Sequence, residues 1–365
     1  MGGDYTVLSL NQNDLWNEYL NLLPPEQQDI YYTPNYYSLY QNLGDGLARC
    51  FVFQSGDNIA LYPFLINSVN ELGYELDKNY YDIQGVYGYN GVVASTCNRE
   101  FIDMFYKAFN SYCADNNIIA EFTRFHPCIQ NHIFSQKYSN VIFNRKTVYI
   151  DLKQSIDQII NSYKKNTKQE FKRANNKYKM EVGIFKNDLK ILDMFVDMYN
   201  YSMDRLSAVP YLYFNYKYFR DLMKMNNSFM CMVFYRKKPI AATLNLVHNL
   251  YLQGHLACSL TEFRHLNPNS LAYTETLKYG KTVGCKYYNL GGGRTEDSDD
   301  TLFKYKNNFS NTTFDYFIGK NIYNKKIYDA VVDQWEKKYP DKVEANKNIH
   351  LRYRNIKYGR RLYGT

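Results

Sequence analysis

The order of the predicted helices and strands in the second half of the chain constrains the fold most. Hydrophobic periodicity predicts two helices, then three strands, then a helix and a final strand. These elements are predicted at residues 189–205, 216–225, 229–235, 240–247, 251–259, 267–284 and 286–290. Asn267 with Pro268 begins the last helix and Gly284 ends it. The order predicts a mixed, mostly antiparallel sheet flanked by helices.

The first half of the chain is predicted to repeat part of this order of helices and strands. Helices are predicted at 12–22, 34–40 and 100–116, and strands at 48–54, 58–66 and 118–124. Between them, residues 80–91 (YYDIQGVYGYNG) carry three glycines that exclude a regular element. No repeat is visible residue by residue, so a duplication rests on the element order alone.

A strand at 147–152 restarts the pattern, and Ser155 caps a long helix predicted to about residue 177. One face of that helix is basic, either as a solvated face or as a phosphate contact. We therefore predict an α/β (mixed α+β) fold of tandem domains at 1–145 and 146–320. Residues 321–365 form a C-terminal helix and a basic tail with Arg352, Arg354, Lys357, Arg360 and Arg361.

The stretch 285–310 (CKYYNLGGGRTEDSDDTLFKYKNNFS) breaks after a strand at three glycines. A short helix follows, capped by Ser298 or Asp299. The glycines indicate either a tight strand-to-helix turn or a close approach of a ligand to the backbone. They match no phosphate-binding glycine motif, and the four acids of the loop, at 296, 297, 299 and 300, would repel a phosphate.

Composition narrows the class of protein. No apolar run approaches the roughly 18 residues of a membrane span. Seven cysteines without a C-x-x-C pair predict a reduced, cytoplasmic protein with neither disulfides nor metal. The net charge of +8 suits phosphorylated partners. The 39 tyrosines suit a sugar or nucleotide ligand, but AT-rich coding, which enriches Asn, Lys, Ile and Tyr together, explains them better.

The residues favour catalysis by positioning, because no nucleophile elbow and no H-E-x-x-H motif is present. Acyl transfer to an amine needs oxyanion donors and the removal of one proton. Lys306 is a candidate donor, or a solvated lysine. His255, in a central strand, is catalytic or a satisfied core histidine. Asn269 and Ser270 either bind a donor pyrophosphate at the helix start or only cap the helix.

Several stretches resemble the Fem-like acyltransferases, which are built from two GNAT-like domains. YYDIQGVYGYNG is similar to that group's D-x-x-x-x-YGYGG loop, EFTRFHP to its EF-x-RFHP turn, and TVYIDL to the opening of its second domain. SMDRLSA resembles TM-x-R-x-x-A, and LGGGRTEDSDDTLFKYKNNFS is similar to LGGG…DSLF-x-FK-x-x-FS. The resemblance places Lys306 on that motif's lysine. It implies substrate-binding roles for Asp82, Tyr87, Tyr89, Arg124, His126, Arg205, Gly291, Gly292, Gly293 and Arg294.

The resemblance also implies an activity: transfer of an acetyl or aminoacyl group to the amine of a sugar- or nucleotide-linked cell-envelope precursor. The donor would be acetyl-CoA, another acyl-CoA or an aminoacyl-tRNA. The Q/R-x-x-G-x-G/A loop that holds coenzyme A in ordinary GNAT enzymes is absent, which puts acetyl-CoA in doubt. A different class, a non-catalytic nucleotide-sugar or RNA-binding protein that keeps the fold, also fits. The oligomeric state is left open.

Overall fold

The computed structural model describes residues 3–297 and 299–356. Its strands are β1 Asp4–Leu8, β2 Leu47–Ser55, β3 Asn58–Ser68, β4 Tyr81–Gln84, β5 Val93–Ala94, β6 Ile118–Arg124, β7 Asn140–Asp151, β8 Glu181–Phe185, β9 Ser228–Tyr235, β10 Lys238–His248, β11 Tyr251–Ser259, β12 Tyr287–Gly292 and β13 Thr312–Ile322. Its α-helices are α1 Asn13–Asn21, α2 Pro34–Asn42, α3 Arg99–Asp115, α4 His132–Ser135, α5 Ile156–Ser162, α6 Lys165–Asn176, α7 Leu189–Arg205, α8 Tyr216–Met223, α9 Pro268–Thr282, α10 Thr301–Lys306, α11 Lys325–Lys338 and α12 Val343–Asn346.

The first compact unit consists of residues 1–144 and 316–365. Its strands lie in the order β1-β2-β3-β4-β6-β13, and β5 pairs with β3. Only the pair β4–β6 is parallel, and α3 connects those two strands. Phenylalanines on one face of α3 (Phe101, Phe105 and Phe109) pack against Phe51 and Phe53 of β2. This aromatic layer is the main core of the unit.

The second unit consists of residues 145–315. Its strands lie in the order β7-β12-β11-β10-β9-β8. Only β11–β12 is parallel, with α9 as its crossover. Helix α9 packs over the sheet through Leu271, Ala272 and Leu277, which are buried.

The two units share one topology. Each has an edge strand, two helices, three antiparallel strands, a crossover helix, a parallel strand and a closing antiparallel strand. The predicted mixed fold with tandem GNAT-like domains is thereby confirmed. The domain boundaries predicted at 145/146 and 320/321 stay a prediction, since the units are defined by contacts and not by independent folding.

Some elements differ from the sequence-based prediction. The long helix predicted over 155–177 is two helices, α5 and α6, because Tyr163 is extended at ψ 144° and the backbone N–H of Lys164 donates to the carbonyl of Asn308 at 2.9 Å. Strands β1, β4, β5 and β8 were not predicted, because they are short and β8 has Gly183 at its centre. Strand β4 lies within residues 80–91, so the prediction that this stretch contains no regular element was wrong: its glycines all follow the strand.

The predicted basic tail is partly paired within the first unit. Arg352 binds Glu336 and Arg354 binds Asp82, while residues 357, 360 and 361 lie outside the described part. None of the described helices is long and apolar enough to cross a membrane.

Candidate active site

The parallel strands β11 and β12 diverge early. They pair over only three residues each, from Tyr251 opposite Tyr287 to Gln253 opposite Asn289. At the last pair the side-chain amide of Asn289 donates to Gln253 Oε1 at 2.8 Å. Beyond it β11 continues along β10 to Ser259, while β12 bulges toward β7. The strands therefore open a split that leaves backbone edges available to an extended ligand.

The corresponding place in the first unit is bridged. Beyond the last β4–β6 pair, the backbone of Asn90 donates to the carbonyl of Arg124 at 2.7 Å, and Asn90 Oδ1 accepts from the Arg124 N–H at 2.7 Å. The tyrosine-rich loop thus fills the space that stays open in the second unit. Gly88 allows this at φ +111°, where a Cβ would lie 2.1 Å from the Tyr31 ring. We therefore look for the chemistry in the second unit.

Lys306, at the end of α10, reaches back to the glycines that end β12. Its Nζ donates to the carbonyl of Gly292 at 2.8 Å. Gly291 has φ +77°, and a Cβ there would lie 3.1 Å from the same ammonium. The glycines therefore form a turn that also makes room for the ammonium of Lys306, and the close approach of a ligand to this backbone stays a prediction.

The ammonium of Lys306 is partly desolvated. Burial lowers its pKa to about 8; the carboxylate of Asp300 opposes this shift and the guanidinium of Arg145 adds to it. The group is thus charged at neutral pH but close to titration. Among the described residues Lys306 forms no ion pair with an acid of the loop, whereas Lys304 binds Asp299 at 3.0 Å.

Asp300 holds the loop before α10. Its Oδ1 accepts from the N–H groups of Leu302 and Phe303, and its Oδ2 from those of Arg294 and Thr295. These backbone hydrogen bonds lower its pKa to about 2 although burial opposes the shift. The predicted caps are corrected: Asp299 is not the N-cap, and Ser298 lies outside the described residues.

Polar side chains gather where β11 ends and α9 begins. Asn269 Nδ2 donates to Ser259 Oγ at 3.4 Å, and its side chain also hydrogen-bonds to Tyr305. The Tyr305 ring lies 6.4 Å from that of Tyr273, centroid to centroid. Glu170 of α6 is close enough for its charge to act on Tyr305. Sequence reasoning missed Glu170, Ser259 and Tyr305 as a group, since they are far apart in the chain.

Three arginines also lie near the end of β11: Arg205, Arg264 and Arg294. Ser202, one turn before Arg205, donates to the carbonyl of Ser259 at 3.4 Å, and Arg264 lies between β11 and α9. Desolvation lowers the pKa of Arg205, and the charges of Arg264 and Arg294 lower it further. Among the described residues, none of the three has a carboxylate partner. The three guanidinium groups therefore form a positively charged cluster near the end of β11.

The start of α9 has few backbone N–H groups to offer a diphosphate such as that of coenzyme A. Pro268 has no N–H, and the N–H of Ser270 already donates to the carbonyl of Asn267 at 3.2 Å. The Ser270 hydroxyl donates to that carbonyl as well, at 2.8 Å. The donor-binding roles predicted for Asn269 and Ser270 stay predictions, and the local bonds of Ser270 are those of a cap.

His255 lies on β11 beside the split but is buried against α8. Its Nε2 is 2.6 Å from the hydroxyl of Tyr218, and burial lowers its pKa to about 3. The imidazole is therefore neutral at physiological pH. Its predicted catalytic role stays a prediction, and the geometry is also that of a satisfied core histidine.

Two residues predicted to bind substrate are wholly buried in the first unit. The carboxylate of Asp82 accepts from Arg354 Nε at 2.6 Å and from the Tyr353 hydroxyl at 2.8 Å, and burial raises its pKa. His126 Nε2 lies 2.7 Å from Asp29 Oδ2, and neither side chain is exposed. A ligand would have to displace these partners, so both substrate-binding roles stay predictions.

Three further predicted residues shape the tyrosine-rich loop. Arg124 donates to the carbonyl of Val86 at 3.0 Å, and its predicted substrate-binding role stays a prediction. Tyr89 packs edge-on against His126, with ring centroids 5.0 Å apart. Tyr87 is half-buried, and burial raises its pKa against the charge of Arg124. Tyr87, Tyr89 and Arg124 are all half-buried, so each keeps some accessible surface.

No group of three or more histidines, cysteines, aspartates and glutamates in the described part could hold a metal ion.

Comparisons with known proteins agree with this geometry. Residues 161–307 match the acetyltransferase (GNAT) domain family. The structure of FemX superimposes with a TM-score of 0.66 at 12% identity, over 89% of this chain and 99% of FemX. L-PGS from Bacillus licheniformis gives 0.51 at 10%, over 84% and 90% of the two chains. A tandem GNAT protein from the clavulanic acid biosynthesis pathway gives 0.50 at 7%, over 88% and 99%. No curated protein sequence matches.

Proposed function

We propose that this chain, whose residues 161–307 form a GNAT acetyltransferase domain within a Fem-like acyltransferase fold, transfers an acyl or aminoacyl group to an amine. The acceptor would be a sugar- or nucleotide-linked precursor of the cell envelope. One observation carries the proposal. The split between β11 and β12 in the second unit ends at a half-buried lysine, whereas the equivalent place in the first unit is closed.

The chemistry needs few groups from the protein. The acyl carbonyl would lie in the split with its oxygen toward Lys306. An ammonium has three donors, so Lys306 can keep its bond to Gly292 and donate to a developing oxyanion. The amine lone pair attacks the carbonyl carbon and a C–N bond forms. The C–O or C–S bond to the carrier then breaks, and the proton lost by the amine ends on the carrier.

The cluster of Arg205, Arg264 and Arg294 would hold phosphate. Unpaired guanidinium groups bind phosphate oxygens through charge-assisted hydrogen bonds, in pairs where geometry allows. The donor's carrier (coenzyme A or the 3′ end of a tRNA) and a nucleotide-linked acceptor all bear phosphate. The arginines therefore support a phosphorylated substrate without selecting among these.

The proposal is tested by mass spectrometry in two steps. The first identifies ligands that co-purify with the protein, since coenzyme A, tRNA and a UDP-sugar differ plainly in mass. The second incubates the protein with acetyl-CoA or an aminoacyl-tRNA and an amino-sugar nucleotide. We expect an acceptor heavier by one acyl group, and none with Lys306→Met. A bound nucleotide sugar or RNA without transfer from any donor would favour the non-catalytic alternative.

A further inference from the structure

A cavity of about 190 Å³ lies within the second unit, where the end of β7 and the end of α5 meet the segment that joins α10 to β13. The buried part of its lining consists of Ile150, Ile159 and Ser310. The N–H of Lys164, just after α5, donates to the carbonyl of Asn308 at 2.9 Å and so holds the two walls together. The volume equals that of about six waters and is smaller than the roughly 300–1,000 Å³ of pockets for drug-sized ligands. The cavity therefore suits a single small ring.

The polar side chains of the lining have unused hydrogen-bonding capacity. Ser310 is 7% exposed, and its hydroxyl oxygen accepts from the N–H of Thr312 at 3.1 Å. Among the described residues no acceptor takes the hydrogen of that hydroxyl, and the side chains of Gln154, Asn311 and Thr312 form no hydrogen bond. A buried hydroxyl is stabilised when a ligand accepts its hydrogen. A ligand in the cavity therefore meets both donors and acceptors.

The charges at the cavity favour a neutral ligand. The lining holds one charged side chain, Asp151, whose Oδ1 accepts from the N–H of Lys153 at 3.0 Å and whose Oδ2 lies 3.9 Å from the Lys153 ammonium. The carboxylate would repel an anion, and a cation would have to compete with that ammonium. A sugar hydroxyl both donates and accepts, so it pairs with a carboxylate, an amide or another hydroxyl. The apolar side chains of Ile150 and Ile159 suit the C–H groups of a sugar ring.

We infer that this cavity binds one neutral monosaccharide unit, with Asp151, Ser310 and Thr312 hydrogen-bonding to its hydroxyls. The inference goes beyond the proposed function, because the cavity is separate from the split. Asp151 pairs with Tyr287 at the start of β12, whereas β11 and β12 separate at the other end of their pairing. The described residues that line the cavity do not include Lys306 or the glycines of its turn. Sugar binding and acyl transfer can therefore be measured independently.

The test measures binding to the full chain by saturation-transfer-difference NMR, with the fold of each variant checked by circular dichroism. The probes are glucose, galactose and N-acetylglucosamine as neutral sugars, alaninamide as a cation and methyl phosphate as an anion. Thr312→Val removes a hydroxyl at the exposed rim and keeps the size of the side chain, and Asp151→Asn removes the charge. The matched controls are Thr313→Val, at the next position of β13 and so on its other face, and Asp157→Asn, at an exposed position of α5.

We expect at least one neutral sugar to bind with a Kd of about 1 mM, the scale for a ligand of about twelve non-hydrogen atoms. Thr312→Val should weaken that binding about threefold and Asp151→Asn about tenfold, the scales of a neutral hydrogen bond and of one to a charged group. The two controls and Lys306→Met should bind the sugar as the wild type does.

The inference is overturned if no sugar binds at about ten times that concentration, or if Thr312→Val and Asp151→Asn both bind the sugar as tightly as the wild type. Binding that depends on Asp151 for alaninamide or methyl phosphate, and not for the sugars, also overturns it. Sugar binding that is weakened in both lining variants, without acyl transfer from any donor, would refute the proposed function and support the sugar site.

Discussion

Lys306 gives the sharpest prediction, because its charge and its position are both specified. Replacing it with methionine removes the ammonium and keeps most of the apolar stem. If Lys306 donates to the oxyanion, kcat should fall by about 10²-fold or more, the scale for losing one such donor. The matched control is Lys304→Met, which removes an exposed lysine paired with Asp299 on the same short helix. That variant should keep kcat within about twofold, as expected for an exposed ion pair.

The pH dependence separates a charged Lys306 from a merely structural one. With a pKa of about 8, roughly nine tenths of the side chain is charged at pH 7 and roughly one tenth at pH 9. Its contribution is therefore present below pH 8 and is lost as the pH rises through that value. The ratio of wild-type to Lys306→Met kcat should fall about tenfold between pH 7 and 9. Taking the ratio cancels the titration of the acceptor amine.

The assay is the initial rate of acyl transfer at saturating donor and acceptor, with each variant's fold checked by circular dichroism. Lys306→Arg should show no loss of activity between pH 7 and 9 beyond that of Lys306→Met, since a guanidinium does not titrate there. The reasoning is refuted if Lys306→Met keeps activity within about threefold of the wild type. A wild-type to Lys306→Met ratio that stays constant over this pH range would refute the charge-based role.

Three other outcomes are expected. Asp300→Ala should lower the free energy of unfolding in urea by about 1–2 kcal/mol, the upper range for an N-cap. Because its pKa is depressed, that difference should vanish as the pH falls from 3.8 to about 2. Asp82→Ala, which leaves the Arg354 guanidinium without its carboxylate partner, should lower the free energy of unfolding by about 3 kcal/mol or more. Asp103→Ala, at an exposed ion pair, should lower it by less than about 1 kcal/mol. Tyr87→Ala should raise the acceptor KM while changing stability by only about 0.5 kcal/mol; unfolding of that variant would instead make Tyr87 a core residue.

Local signals in the sequence determined several regular elements of the second unit, though not β8 or the break between α5 and α6. Pro268 starts α9 and Gly284, at φ 89°, follows its end, as predicted from those residues alone. Strands β9, β10 and β11 lie where alternating apolar runs placed them. Such features depend on neighbours within a few residues, which the sequence displays directly.

The sequence also determined that the glycines after β12 and Lys306 belong together, through the resemblance of that stretch. The sequence could not show which group Lys306 binds or how far its pKa is lowered. Whether Lys306 would pair with the loop acids or reach the glycine carbonyl depends on the backbone turn at Gly291 and on the capping by Asp300. Its lowered pKa depends on burial by residues distant in the chain.

Only the tertiary structure decided which polar residues are structural and which remain available. The sequence predicted that Asp82 is a substrate-binding carboxylate. In the structure this carboxylate accepts a hydrogen bond from Arg354, 272 residues away. The break between α5 and α6 comes from a hydrogen bond of Lys164 to Asn308, which no periodicity within the helix could indicate. In each case the deciding contact joins residues whose separation in the chain carries no signal, because packing and not local propensity brings them together.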